Sequence, residues 1–126
     1  MDKINLNMWG REISINIIYD CFDDEKITIQ QTETYNQFIQ LKDKILEQAY
    51  LELEDYCKKN YPDDLGKGFD NIFKYIKPKQ LYIKRSISGN KIAGLLCDFK
   101  FDMEHGLAVY IENGIVTKVG PQDIIL

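Results

Sequence analysis

The chain has 126 residues, 44% of them hydrophobic, and a formal net charge of −4, a composition that suits one ordered domain over residues 1–126 with a core of its own and excludes a disordered or fibrous chain. No apolar run approaches the roughly 20 residues needed to cross a bilayer, and Met1-Asp-Lys-Ile-Asn-Leu-Asn7 offers no continuous apolar segment for secretion, so a cytoplasmic protein without a membrane partner is expected. Cys21, Cys57 and Cys97 are odd in number and far apart, which argues against a disulfide framework or a local zinc site and for buried, reduced thiols.

In chain order, Lys3–Met8 and Glu12–Tyr19 read as strands joined at Trp9-Gly10, with Ile13, Ile15 and Ile17 alternating with Ser14 and Asn16. After an acidic turn over Cys21–Glu25, the alternation of Ile27 and Ile29 predicts a third strand that completes an N-terminal meander. The period then changes from 2 to 3.6. From Thr34, the expected N-cap, to Asn60, an apolar stripe of Tyr35, Phe38, Leu41, Ile45, Leu46, Ala49, Leu53, Tyr56 and Cys57 predicts one long helix packed on the sheet. At on the order of 40 Å, its C-terminal part is expected to overhang the strands.

Tyr61-Pro62-Asp-Asp-Leu-Gly66 breaks that helix. Phe69, Ile72, Phe73 and Ile76, at i, i+3, i+4 and i+7, predict a short second helix ending before Pro78, and extended chain resumes over Gln80–Ser86. Beyond the turn at Ser88-Gly89-Asn90, Lys91–Gly120 reads as a three-stranded meander with turns at Asp102-Met-Glu-His105 and Asn113-Gly114. The second is the dipeptide suited to a two-residue type I′ hairpin. The predicted fold is α+β: antiparallel β-meanders forming one sheet, packed against one long amphipathic helix plus a short helix.

Charge is unevenly placed. Residues 1–64 carry −7, residues 65–91 carry +6, and the remainder carries −3. Lys67, Lys74, Lys77, Lys79, Lys84, Arg85 and Lys91 would suit a phosphate-binding face, but lysine also guards exposed sheet edges. Without overall basic character, a nucleic-acid partner is unexpected and the solvated-surface reading is favoured.

The one chemically suggestive turn gathers Asp102, Glu104 and His105, the only histidine. Imidazole and carboxylate suit acid–base work or metal ligation near neutral pH, yet a hydrolytic metal site normally uses three protein ligands, and a third would have to come from Asp98 or elsewhere. Ser86 and Ser88 lack a nucleophile elbow. Cys97 falls in an apolar strand, where a thiol is inert, and Gly66-Lys67-Gly68 is only a short glycine-rich turn. No catalytic set, metal site or cofactor is expected, and His105 is expected to be structural.

The last quarter of the chain, with its pattern Glu104-His-Gly-Leu107, Glu112-Asn-Gly114, Val119-Gly120 and Asp123, resembles the C-terminal signature of an uncharacterised bacterial domain-of-unknown-function family found in gene neighbourhoods of polymorphic toxins. The resemblance implies a candidate immunity protein and brings no catalytic residues. The expected function is therefore a non-enzymatic protein-interaction domain, an immunity-type inhibitor of a toxin, binding through Asp23, Asp24 and Glu25 or through Asp102, Glu104 and His105. The alternative is a small hydrolase or metal-dependent enzyme centred on the Asp102/Glu104/His105 turn.

Overall fold

A computed structural model describes residues 2–66, 68–86 and 88–126. Lys67, counted above among the basic residues and in the Gly66–Gly68 turn, lies outside them. Strands β1 (Lys3–Met8), β2 (Arg11–Tyr19), β3 (Ile76–Ile83), β4 (Ile92–Phe99), β5 (Leu107–Glu112) and β6 (Ile115–Gly120) form one sheet in sequence order. Every neighbouring pair is antiparallel except β2 and β3, which run parallel. That exception follows from the crossover between them, which contains helix α1 (Ile29–Asn60), since parallel neighbours need a long connection. The fold is α+β, as the sequence predicts.

Alternation decides which face meets the helix. Leu6 lies opposite Ile13 and Ile4 opposite Ile15. Their apolar side chains join Leu81, Leu95, Phe99 and Val109 in a core with Phe38, Ile45, Leu46, Ala49, Leu53 and Cys57 of α1. Leu53 and Cys57 are fully buried, so the C-terminal half of the helix lies on the core instead of overhanging it. The short helix α2 (Pro62–Leu65) begins with proline at its first turn, where a missing N–H costs nothing, and buries Leu65.

The expected third strand is absent. Ile27 and Ile29 are exposed, and Thr28, not Thr34, is the N-cap. Its hydroxyl accepts from Gln31 N–H at 3.0 Å while Gln31 Oε1 accepts from Thr28 N–H at 3.0 Å, a capping box that satisfies two donors at once. The buried Gln31 also donates through Nε2 to the carbonyls of Asp20 and Ile83, each at 3.2 Å. The helix start is thereby tied to the ends of β2 and β3. Thr34 lies inside the helix, buried, with its hydroxyl donating to Gln30 O at 2.8 Å.

The second predicted helix is reduced to a single 3₁₀ turn, Ile72–Lys74. Asn71 opens it by accepting from Phe73 N–H at 3.1 Å, a local bond that competes with helix propagation. Lys77 precedes proline and is therefore biased towards extended chain, so Ile76 opens β3. Pro78 is tolerated within the sheet because β2 pairs with β3 only from Asn16–Gln80 to Tyr19–Ile83, and because the register against β4 shifts between Pro78 and Gln80.

The C-terminal meander forms as expected. Asn113 and Gly114 both take positive φ, 52° and 82°. The chain then turns back through a second 3₁₀ turn, Gln122–Ile124, across the face away from α1. There Ile125 packs with Ile92, Leu96 and Ala108 in a second small core.

Candidate functional site

Asp102–His105 connects β4 to β5. His105 N–H donates to Asp102 Oδ1 at 3.2 Å, and His105 Nδ1 lies 3.0 Å from each Asp102 carboxylate oxygen. The neighbouring backbone is also engaged: Gly106 N–H donates to Asp102 O at 2.9 Å, and Gln122 N–H donates to His105 O at 3.1 Å. The hydrogen bond from the His105 backbone holds the Asp102 carboxyl below its ordinary range. In turn, the Asp102 carboxylate bonds the imidazole and raises it above its ordinary value. The pair closes a turn and caps a strand entry while leaving the imidazole exposed.

Glu104 is exposed in the same turn. Asp98, the expected source of a third ligand, instead lies 4.0 Å from Lys79. Among the described residues no group of three or more His, Cys, Asp or Glu side chains could hold a metal ion. Burial pushes the Cys57 thiol up to about 11, and Cys97 is raised further by complete burial, so neither forms a thiolate near neutral pH.

Asp23, Asp24 and Glu25 lie at the other end of the sheet. The β3–β4 ladder runs from Ile76–Phe99 to Ile83–Ala93. The His105 turn follows Phe99, whereas the acidic turn follows Tyr19, which pairs with Ile83. The two acidic groups named from the sequence therefore do not share a site. Glu25 is already engaged, accepting from Phe22 N–H at 2.8 Å and pairing with Arg85 at 3.4 Å. Asp23 and Asp24 are exposed.

Sequence reasoning missed a cleft of about 410 Å³ lined by Asn7 and Trp9 together with Leu46, Tyr50, Leu51 and the acidic pair Asp43 and Glu47 of α1. Asn7 belongs to the exposed alternation of β1 and Leu46 to the buried stripe of α1, so the cleft opens along the outer edge of β1, the sheet's first strand. Trp9 occupies the first loop position of the β1–β2 hairpin with φ 54°. Such turns favour Asn, Asp or Gly there, and a bulky residue in this region is strained by about 1–3 kcal/mol. The strain is held by tertiary contacts: the indole N–H donates to Leu46 O at 2.8 Å, and the ring packs edge-on to Tyr50 and tilted against Phe73. Leu51 stands 58% exposed beside it. The available signal was a tryptophan at a turn position that chemistry reserves for small polar residues.

The fold and these surfaces define a small α+β domain with an aromatic-floored, acidic-rimmed cleft on a sheet edge. Over residues 1–126 the chain matches the family model described as "Domain of unknown function (DUF6985)", and it belongs to that family. No curated protein and no solved structure matches the chain.

Proposed function

We propose that this protein is a non-enzymatic protein-interaction domain that docks its partner in the cleft between β1 and α1. The observation that carries the reading is Trp9, kept in a strained backbone conformation by its bond to Leu46 O at the mouth of the largest cleft. Backbone strain of this kind persists where the surrounding structure enforces it, and it clusters at binding sites. An aromatic floor beside the exposed Leu51 supplies the apolar anchor typical of interface centres. The free edge of β1 can accept an added strand, and Asp43 and Glu47 at the rim favour lysine or arginine beside the anchoring side chain. The occupant that fits is an extended segment of a basic partner carrying one aliphatic or aromatic side chain.

The particular form proposed is a bacterial immunity-type inhibitor that binds a toxin domain in the cytoplasm. The exposed acidic residues Asp23 and Asp24 would contribute to its long-range attraction for a basic partner. The test is calorimetry with the product of the adjacent gene. Leu51→Glu, at an exposed position, is expected to weaken that complex by about tenfold or more, and reversal of Asp43 and Glu47 to lysine is expected to slow association and flatten its salt dependence. Undiminished binding by both variants would remove the cleft from the reading.

The second reading, a small hydrolase, is favoured by one observation, the 3.0 Å contact of His105 with Asp102. It predicts turnover of generic ester or phosphoester substrates that is lost in His105→Ala.

A further inference from the structure

We propose that the fork where β2 and β3 part, continued along the outer surface of β3 and β4, binds a small ligand carrying several phosphate charges. Parallel pairing ends at Asn16–Gln80, although β2 begins at Arg11 and β3 at Ile76. Below that rung the strands diverge, and a cleft of about 280 Å³ opens between them, with Arg11, Phe73, Lys77 and Lys79 in its walls. Pro78 has no N–H to offer β2, and the register shift beside it leaves Lys77 and Lys79 both exposed. A second cleft of about 320 Å³ shares Lys77 and Lys79 with the first and adds Lys74, Tyr75, Lys100 and Asp98. Five cationic side chains from three separate stretches of sequence therefore surround two connected clefts on a protein whose net charge is −4.

Their own carboxylates neutralise them only in part. Lys74 pairs with Asp70 at 3.2 Å and Lys79 with Asp98 at 4.0 Å, whereas Arg11, Lys77 and Lys100 have no ion pair among the described residues. The Arg11 guanidinium lies over the Phe73 ring, 4.4 Å from its centre. That contact fixes the planar group against the wall while its N–H edge stays available to a phosphate oxygen. Like charges held this close repel one another, and a polyanion relieves the repulsion while accepting charge-assisted hydrogen bonds.

The size of the clefts favours a small molecule, since each is near the lower end of the roughly 300–1,000 Å³ typical of ligand pockets. A nucleic-acid strand fits less well. Phe73 is already covered by Arg11 and offers no free face for stacking bases, and the chain as a whole is acidic. This site is independent of the β1–α1 cleft, so the two assignments stand or fall separately.

The test is calorimetry at low ionic strength with tripolyphosphate, inorganic phosphate, a hexaglutamate peptide and an oligothymidylate as probes. Tripolyphosphate is expected to bind at a single site, more tightly than the other three probes. Affinity is expected to drop about tenfold or more in the double variant Lys77→Gln/Lys79→Gln. Lys42→Gln/Lys44→Gln, with the same change in net charge on α1, is expected to bind as the parent does. The substituted side chains at 77 and 79 are exposed, so the thermal midpoint should be preserved; Lys100→Gln provides a second, separate weakening. Absence of tripolyphosphate binding, equal losses in both double variants, or tighter binding of the peptide or oligothymidylate would each overturn the assignment.

Discussion

Gly94 of β4 lies directly beneath Ile125: a β-carbon on the glycine would stand 2.6 Å from Ile125 Cδ1. The contact lets the C-terminal turn seal the sheet face away from α1, where Ile125 is fully buried against Ile92, Leu96 and Ala108. Gly94→Val must therefore displace the tail or strain the strand. Overpacking of this kind costs about 1–3 kcal/mol, and the urea midpoint is expected to fall accordingly. An unchanged midpoint would mean that the tail does not contribute to stability.

Gly114 combines two constraints. Its φ is 82°, and an added β-carbon would come 2.7 Å from Leu41 Cδ1 on α1. Gly114→Val is expected to destabilise the protein by about 1 kcal/mol or more, because a β-branched residue is strained in the left-handed region. Gly114→Asn tolerates the backbone better but still meets Leu41, so it should fall between the parent and the valine variant in chemical denaturation.

His105 and Asp102 shift each other in opposite directions, and the sign for stability differs accordingly. The raised imidazole contributes stability that is fully present below its ordinary 6.5 and is lost as pH rises through the folded-state value. The lowered carboxyl contributes stability present above its ordinary 3.8 and lost as pH falls through the folded-state value. An NMR titration of the single histidine should give a midpoint above 6.5 that moves down in Asp102→Asn. The exposed pair serves the turn, so zinc should show no stoichiometric binding that depends on His105; such binding would assign the turn to metal chemistry.

Legibility followed how local each signal is. The C-terminal meander could be read directly because Asn113-Gly114 and the alternation of Leu107, Val109 and Ile111 encode the hairpin within a few residues. The apolar stripe of α1 could likewise be read from its period. The start of α1 was misread because Ile27 and Ile29 alternate like a strand, while the competing capping box at Thr28 and Gln31 is completed by contacts to Asp20 and Ile83 across the fold. The helix expected over Phe69–Ile76 gave way to a 3₁₀ turn because its aromatic residues satisfy tertiary packing, with Phe69 stacked on Tyr75. Neither cleft could be read from sequence spacing alone. Trp9 meets Leu46 across 37 residues, and Arg11 reaches Phe73 only after the crossover returns the chain to the sheet.

The central claim is that the cleft beside Trp9 docks a protein partner, and Trp9 is the only tryptophan in the chain. The most direct measurement is ¹⁹F NMR of protein labelled with 5-fluorotryptophan, titrated with the unlabelled product of the adjacent gene. The single resonance is expected to shift saturably on complex formation, and Leu51→Glu should require about tenfold more partner for the same shift. A complex that forms while the resonance stays fixed, and that tolerates Leu51→Glu, would contradict the claim.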